Sequence, residues 1–186
     1  LSKEKENLDK KVTLAAQLDV TNIRIEPRNK RGKVAKKVKD IVKLAISFTV
    51  VKNITAENGE RTIYIRITKP DNDALTKSAS NTFSYENRTL TYSIKKYIEY
   101  KGEEMPITVF WNVEEFLYAG TYRVDIFADG TLIGSQPFVL IAVTIGTHGI
   151  MFQLKTTYLA IFVTAKDDGI VRISFNGIST MVDNET

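Results

Sequence analysis

Between Lys37 and Val50 the chain alternates. Val38, Val42, Leu44, Ile46, Phe48 and Val50 fall on one parity, broken by Asp40, while Lys37, Lys39, Lys43, Ser47 and Thr49 hold the other. A period of two over this length gives one buried face and one wet face, the pattern of an antiparallel sheet with one solvated side. The same period recurs in Val20–Glu26, ended by Pro27, and in Ile63, Ile65 and Ile67. It returns in a strand that begins with Leu90, Tyr92 and Ile94 and stops before Lys101-Gly102, and again in Ile107, Val109 and Trp111. Tyr122, Val124 and Ile126 make the next strand, and Leu132, Phe138 and Leu140 lie on the one that follows.

Turn chemistry separates these runs. Asn58-Gly59 and Asp129-Gly130 are hairpin dipeptides, and Pro137 places its strand at an edge or on a bulge. Residues 28–37 read as a basic turn around Gly32, residues 74–88 as a loop with a short strand at Thr82–Tyr85, and residues 113–118 as a helical turn or corner. Roughly seven or eight short strands over about 120 residues, with no βαβ alternation, predict a mainly β chain folded as an antiparallel β-sandwich.

The two ends differ from this middle. Residues 1–19 hold no Gly or Pro and are rich in helix formers. Leu1, Leu8 and Ala15 lie seven apart with Val12 at the complementary position, and Lys5 and Asp19 occupy the other core-type places of a heptad. The segment reads either as a short amphipathic helix packed on its own domain or as a stalk, the end of a coiled coil continuing upstream of Leu1. Residues 141–186 carry further strand patterns at Met151–Leu154, Tyr158–Ala165, Ile170–Phe175 and Ile178–Val182, with turns at Lys166–Gly169 and Asn176-Gly177. A segment of about 45 residues rarely holds a core of its own, so these strands are expected to pack on the sandwich of residues 20–140 or on a second copy.

The stretch Tyr118-Ala-Gly-Thr-Tyr-Arg-Val-Asp-Ile-Phe-Ala-Asp-Gly-Thr-Leu-Ile-Gly resembles the last hairpin of an immunoglobulin-like or fibronectin-III-like sandwich. The resemblance implies that Tyr122 is a tyrosine-corner residue two positions before a core site, here Val124 rather than Cys. It implies a core role for Trp111 and a turn role for Gly130. The inter-sheet Cys pair of antibody domains is missing. The wider order of heptad helix, Glu26–Lys33 segment and sandwich also resembles uncharacterised envelope-associated proteins of Bacteroides-type bacteria with an upstream anchor or coiled coil. That resemblance implies a cell-envelope location and brings no activity with it; the cytoplasm stays open.

Composition enters through what it excludes. The 186 residues contain no Cys and one His, which removes disulfide scaffolds, thiol nucleophiles and multi-His metal sites. His148, between Thr147 and Gly149, reads as a surface residue of a loop. The acidic pairs Glu103-Glu104 and Glu114-Glu115 cannot face one substrate from one strand, because adjacent residues point to opposite faces, and Asp167-Asp168 opens a turn. Asp71-Asn72-Asp73 has alternating oxygen ligands but no EF-hand Gly or Glu downstream, so it too reads as a turn. No Gly-rich phosphate loop and no Gly-x-Ser-x-Gly elbow is present. No catalytic residue, metal ligand or cofactor is expected. Asn53-Ile-Thr, Asn87-Arg-Thr and Asn184-Glu-Thr match the glycosylation sequon at close to chance frequency.

Charge singles out one segment. Arg28, Lys30, Arg31, Lys33, Lys36, Lys37, Lys39 and Lys43 face Asp40 alone, a net +7, while the remaining 18 basic and 21 acidic residues leave −3. Such density fits a polyanion or an anionic membrane surface, a protein partner, or a solvated edge-protecting surface. No aromatic residue lies within 28–43, so a base-stacking platform is not expected and neither is nucleic acid. Membrane attachment is expected only through upstream residues. Tyr92, Tyr97, Tyr100, Tyr118, Phe110 and Phe116 flank the middle strands and would suit a glycan if their rings faced water. The leading expectation is a non-enzymatic structural or protein-interaction module of a bacterial envelope, a sandwich on a helical stalk, with a protein partner or homo-oligomer. A carbohydrate-binding module and a polyanion or membrane-surface binder are the alternatives.

Overall fold

The computed structural model describes residues 2–35 and 37–140 with their side chains, and beyond residue 140 the backbone of seven strands. Helix α1 (Ser2–Ala15) leads into β1 (Val20–Arg28), β2 (Lys43–Val50), β3 (Gly59–Thr68), β4 (Thr82–Tyr85), β5 (Arg88–Thr91), β6 (Ile94–Tyr100), β7 (Met105–Asn112), β8 (Gly120–Ala128) and β9 (Thr131–Leu140). Two antiparallel sheets result, in the orders β1-β2-β7 and β6-β3-β8-β9. Leu44, Ile46, Phe48 and Val109 of the first join Ile63, Ile65, Ile67, Val124 and Ile126 of the second in one buried cluster. The chain is thus mainly β with one N-terminal helix, consistent with a β-sandwich.

Several local expectations change. Strand β2 begins at Lys43, not Val38, because Val38–Asp40 winds into a single 3₁₀ turn. Lys37 and Lys39 therefore leave the wet strand face and join the loop. Strand β1 runs through Pro27 to Arg28; it borders its sheet, where a missing N–H costs no ladder bond. Asn58-Gly59 makes no hairpin, since β2 pairs with β1 and β7 while β3 lies in the other sheet. Gly59, at φ 139°, instead opens β3 where the chain crosses between sheets. The run from Leu90 to Tyr100 is split at Ser93, which is buried. Its hydroxyl accepts the Ile67 N–H at 2.9 Å and its own N–H donates to the Ile65 carbonyl at 2.9 Å. Residues 113–118 form a non-helical loop.

Strands β4 and β5 make a separate hairpin whose turn residues Glu86 and Asn87 both have positive φ, the backbone of a type I′ turn. Phe83 of this hairpin stacks on Tyr64 at 4.6 Å and tilts against Phe127 at 4.9 Å. The hairpin thereby covers rings on the outer face of the four-stranded sheet. In β9 a register shift opposite Ile126/Phe127 reverses the parity, which buries Ile133 and leaves Leu132 exposed.

Helix α1 buries none of its residues, and Leu8, Val12 and Leu14 are exposed. It stops at Ala15, short of Asp19, because the loop after β2 caps it. The Asn53 amide donates to the carbonyls of Ala15 and Gln17 at 2.9 Å each, and the Thr55 hydroxyl donates to Ala15 as well. The Asn and Thr of the first sequon thus serve a helix C-terminus.

Beyond residue 140, β10 (Val143–Ile145), β11 (His148–Ile150), β14 (Val163–Ala165), β15 (Ile170–Phe175) and β16 (Ile178–Asp183) form a sheet in the order β11-β10-β14-β15-β16. Strands β12 (Phe152–Leu154) and β13 (Thr157–Leu159) pair with each other. The expected strand Tyr158–Ala165 overlaps β13 and β14, with residues 160–162 outside the described residues, and His148 stands in strand β11 rather than in a loop. Turns 166–169 and 176–177 lie outside the described residues. Among the described residues no helix is long and apolar enough to cross a membrane.

One side of the two-sheet unit is closed by contact between β1 and β9. A Cβ at Gly134 would strike Val20 Cγ2 and Ile23 Cδ1, so only glycine admits this approach. Gly120, at φ 147°, opens β8 with Pro70 packed over it; an added Cβ would lie 2.6 Å from Pro70 Cγ. Gly134→Ala and Gly120→Ala are each expected to destabilise the chain by about 1–3 kcal/mol, read as a lowered urea midpoint at unchanged slope.

Candidate functional site

The described residues of the basic segment form a hydrogen-bonded connection between β1 and β2. Asn29 Oδ1 accepts the N–H groups of Arg31 and Lys33 at 2.9 and 3.2 Å, and Asn29 exchanges further backbone bonds with Gly32 and Lys33. Such an Asx-type turn fixes the backbone without a sheet ladder. The base of the loop is pinned by bonds from Ala35 N–H to Pro27 and from Val42 N–H to Arg28, each 2.9 Å, with Ala35 and Ile41 buried. Arg28 pairs with Glu26 at 2.8 Å. Lys30, Arg31, Lys33, Lys37, Lys39 and Lys43 have no carboxylate partner among the described residues. Lys36 lies outside the described residues. Two open concavities of about 390 and 530 Å³ share Asn29, Arg31 and Asp40 in their walls.

One neighbour of this loop is invisible in its own sequence. Phe110 of β7 stands opposite Ala45 of β2 and is 48% exposed. The Lys43 ammonium lies over its ring at 5.2 Å and the Arg28 guanidinium at 5.8 Å. The ring thus positions two cations by cation–π attraction, with charge already over it where a base or sugar would have to stack.

The second candidate is a sheet border. Strands β1 and β7 bound the three-stranded sheet, and β6 and β9 bound the four-stranded one. The chain has four prolines. Pro27 sits in β1, Pro106 in β7 and Pro137 in β9, leaving Pro70 for a loop. Strand β6 holds none, and among the described residues it has a hydrogen-bonding neighbour on one side only, β3. Between β6 and β7 runs an open groove of about 690 Å³, reached by Lys96, Tyr97 and Ile98 from one strand and Ile107 and Thr108 from the other. Lys96 has core-facing parity opposite Ile63 and is nonetheless exposed at this open side. Tyr100, fully buried, ends β6; its hydroxyl donates to the Val51 carbonyl at 2.9 Å and accepts the Asn53 N–H at 2.8 Å.

The remaining sequence candidates are spread through the fold. Trp111 is buried on β7, opposite Leu44, with its indole N–H unpaired among the described residues. Asp129 and Gly130 both have positive φ in the turn joining β8 to β9. Tyr122 is fully buried; its hydroxyl donates to the Tyr118 carbonyl at 2.7 Å and accepts the Tyr118 N–H at 3.1 Å. Burial pushes the Tyr122 phenol from 10.0 up to about 12. The acidic pairs are dispersed among ion pairs, with Glu103 on Lys52, Glu114 on Lys77 and Glu115 on Lys69. Asp71 Oδ1 accepts the Asp73 N–H at 3.0 Å, the leading cause of its lowered pKa. Among the described residues no group of three or more His, Cys, Asp or Glu gathers as for a metal.

Comparison with known proteins adds a family. A family described as "Domain of unknown function (DUF8428)" matches residues 21–141, from the second residue of β1 to just past β9. The chain belongs to this family. The DUF8428 match spans both principal sheets, the basic loop and the β6 border. No curated protein matches the sequence. Among solved structures, a Pseudomonas fluorescens alkylpurine DNA glycosylase, AlkC, bound to DNA containing an abasic site analog is 14% identical with a TM-score of 0.38 over 69% of this chain. A Kluyveromyces marxianus beta-glucosidase is likewise 14% identical, with a TM-score of 0.38 over 66% of this chain. The matches cover 32% of the glycosylase chain and 14% of the glucosidase chain.

Tyr122→Phe removes both bonds to Tyr118 and is expected to cost about 1 kcal/mol near neutral pH. Because folding raises the Tyr122 pKa, its contribution is full below pH 10.0 and lost as pH rises toward about 12. Urea titrations across that window are expected to show a steeper fall in stability for the native chain than for the Phe variant.

Proposed function

We propose that the chain is a non-enzymatic protein-interaction module built on an immunoglobulin-like sandwich, and that β6 is the border that receives a partner strand. The immunoglobulin-like reading draws support from strand order. β1, β2 and β7 stand as A, B and E, and β6, β3, β8 and β9 as C′, C, F and G. The Tyr122 bond to Tyr118, four residues upstream at the start of the F-position strand, has the geometry of a tyrosine corner. The inter-sheet Cys pair is absent from the sequence, and Trp111 stands on the E-position strand rather than on C.

The observation that carries the interaction reading is the distribution of proline. A bordering strand presents unpaired N–H and C=O groups and templates pairing unless it is blunted. Of the four borders of the two principal sheets, three hold a proline and β6 does not. A strand added there would gain main-chain bonds along Ile94–Tyr100, and side chains on one face of the added strand would look toward the groove beside β7. The glycan reading needs a row of open rings. On the outer face of the four-stranded sheet, Tyr64 and Phe127 pack against Phe83 of the β4–β5 hairpin. The rings that stay open come from separate places, Tyr97 from β6, Phe110 from β7, and Phe116 and Tyr118 from the loop before β8.

The basic loop supports a second reading, contact with a polyanion. Its cations sit on a hydrogen-bonded turn without carboxylate partners among the described residues, so charge alone would recognise the anion. Heparin binding that weakens steeply between low and physiological salt, and is lost in Lys30→Ala/Arg31→Ala/Lys33→Ala, is the expected result for that reading.

Selection of displayed nine-residue peptides against the full chain tests the β6 reading. Selected peptides are expected to slow amide hydrogen exchange along Ile94–Tyr100. Peptides that bind yet leave β6 exchange unchanged would contradict it.

A further inference from the structure

The charges along β6 specify a partner more closely than its free backbone does. The outer face of the strand carries Lys95, Tyr97 and Glu99, opposite Tyr64, Thr62 and Glu60 of β3. Glu99 thus stands directly across from Glu60, and like charges at opposed positions of a sheet repel. Neither carboxylate has an ion-pair partner among the described residues. Four residues before Glu99, the Lys95 ammonium has no carboxylate partner among the described residues either. It lies over the Tyr97 ring at 4.9 Å and over Tyr64 at 5.7 Å. The border therefore offers one cation and one anion on the same face, symmetric about Tyr97, neither with an ionic partner among the described residues.

We infer that β6 pairs antiparallel with β6 of a second copy of this chain about a two-fold axis at Tyr97, placing each Lys95 beside the partner's Glu99. The inference rests on the reading of β6 as the receiving border and names its occupant. In this register Tyr97 meets the partner's Tyr97, Ile94 meets the partner's Tyr100, and both copies keep their covered outer faces on the same side. Each Glu99 gains the cation that its own sheet fails to supply against Glu60. Lys96 falls opposite the partner's Ile98; its alkyl stem can lie along that side chain while the ammonium stays in the wet groove. Neighbouring registers are worse. A two-fold axis at Lys95, Lys96 or Glu99 sets that charge against its own copy, and one at Ile98 sets Lys95 against the partner's Lys101. The contact is isologous, so it closes on two copies and does not propagate. The prolines on β1, β7 and β9 disfavour the open-ended alternatives.

Sedimentation equilibrium of the full chain at low salt tests this. The native chain is expected to show a monomer–dimer equilibrium that weakens with added salt. Lys95→Glu and Glu99→Lys are each expected to weaken the dimer about tenfold, because every attractive pair becomes a repulsive one at two symmetric places. The double variant restores opposite charges in reversed order and is expected to return to within about threefold of the native affinity. A chain that stays monomeric at the highest concentration overturns the inference, as does a dimer indifferent to the single reversals or a double variant as weak as the singles. Peptide capture at β6 by a monomeric chain would leave the interaction module standing and remove only the second copy.

Discussion

An open sheet leaves a row of backbone N–H and C=O groups unpaired at each border, and a sheet pair like this one has four such rows. Most features of the fold answer that constraint. On one side β1 and β9 approach so closely that only Gly134 fits between Val20 and Ile23. Both of these strands and β7 carry a proline, which cannot donate to a new ladder. The remaining border, β6, is treated differently. It has no proline, ends on a Tyr100 held by two hydrogen bonds, and lies beside an open groove. In the proposed reading its protection is electrostatic: Lys95, Lys96 and Glu99 would reject strands of the wrong charge order and accept a complementary one. A proline refuses every strand; a charge pattern selects among them.

The buried faces were legible in sequence because alternation is a direct record of which side meets water. Ile63, Ile65 and Ile67, and Leu44, Ile46, Phe48 and Val50, lie in the core as their parity indicates. The misreadings share a cause. Turn dipeptides and prolines report local backbone preference, whereas their meaning depends on which strand lies alongside. Asn58-Gly59 has hairpin chemistry, yet the following strand enters the opposite sheet. Pro27 looks like a terminator and is tolerated because β1 borders its sheet, with a paired strand, β2, on one side only among the described residues. Val38 continues the parity of β2 but lies in a 3₁₀ turn closed by a bond from Ile41 N–H to the Val38 carbonyl. No period records a turn of that size.

The candidate surfaces were legible only in part for the same reason. The basic residues stand together in sequence, so their density was visible, but Phe110, which orders Arg28 and Lys43, is 67 residues away from Lys43 along the chain. It becomes their neighbour through the β2–β7 register. The exposed pair Lys95 and Glu99 looks unremarkable in a charged strand. Its significance appears once β3 places Glu60 across from Glu99 and the strand order leaves β6 at a border. Both surfaces lie within the span shared with the family, residues 21–141.

The central claim is that β6 is the border kept available for pairing. Amide hydrogen exchange along Ile94–Tyr100, followed as protein concentration rises at low salt, tests it most directly. Protection is expected to grow with concentration in β6 while the β7 border, Met105–Asn112, stays unchanged. Exchange at β6 that ignores concentration, or protection that rises first at β7, would contradict the account.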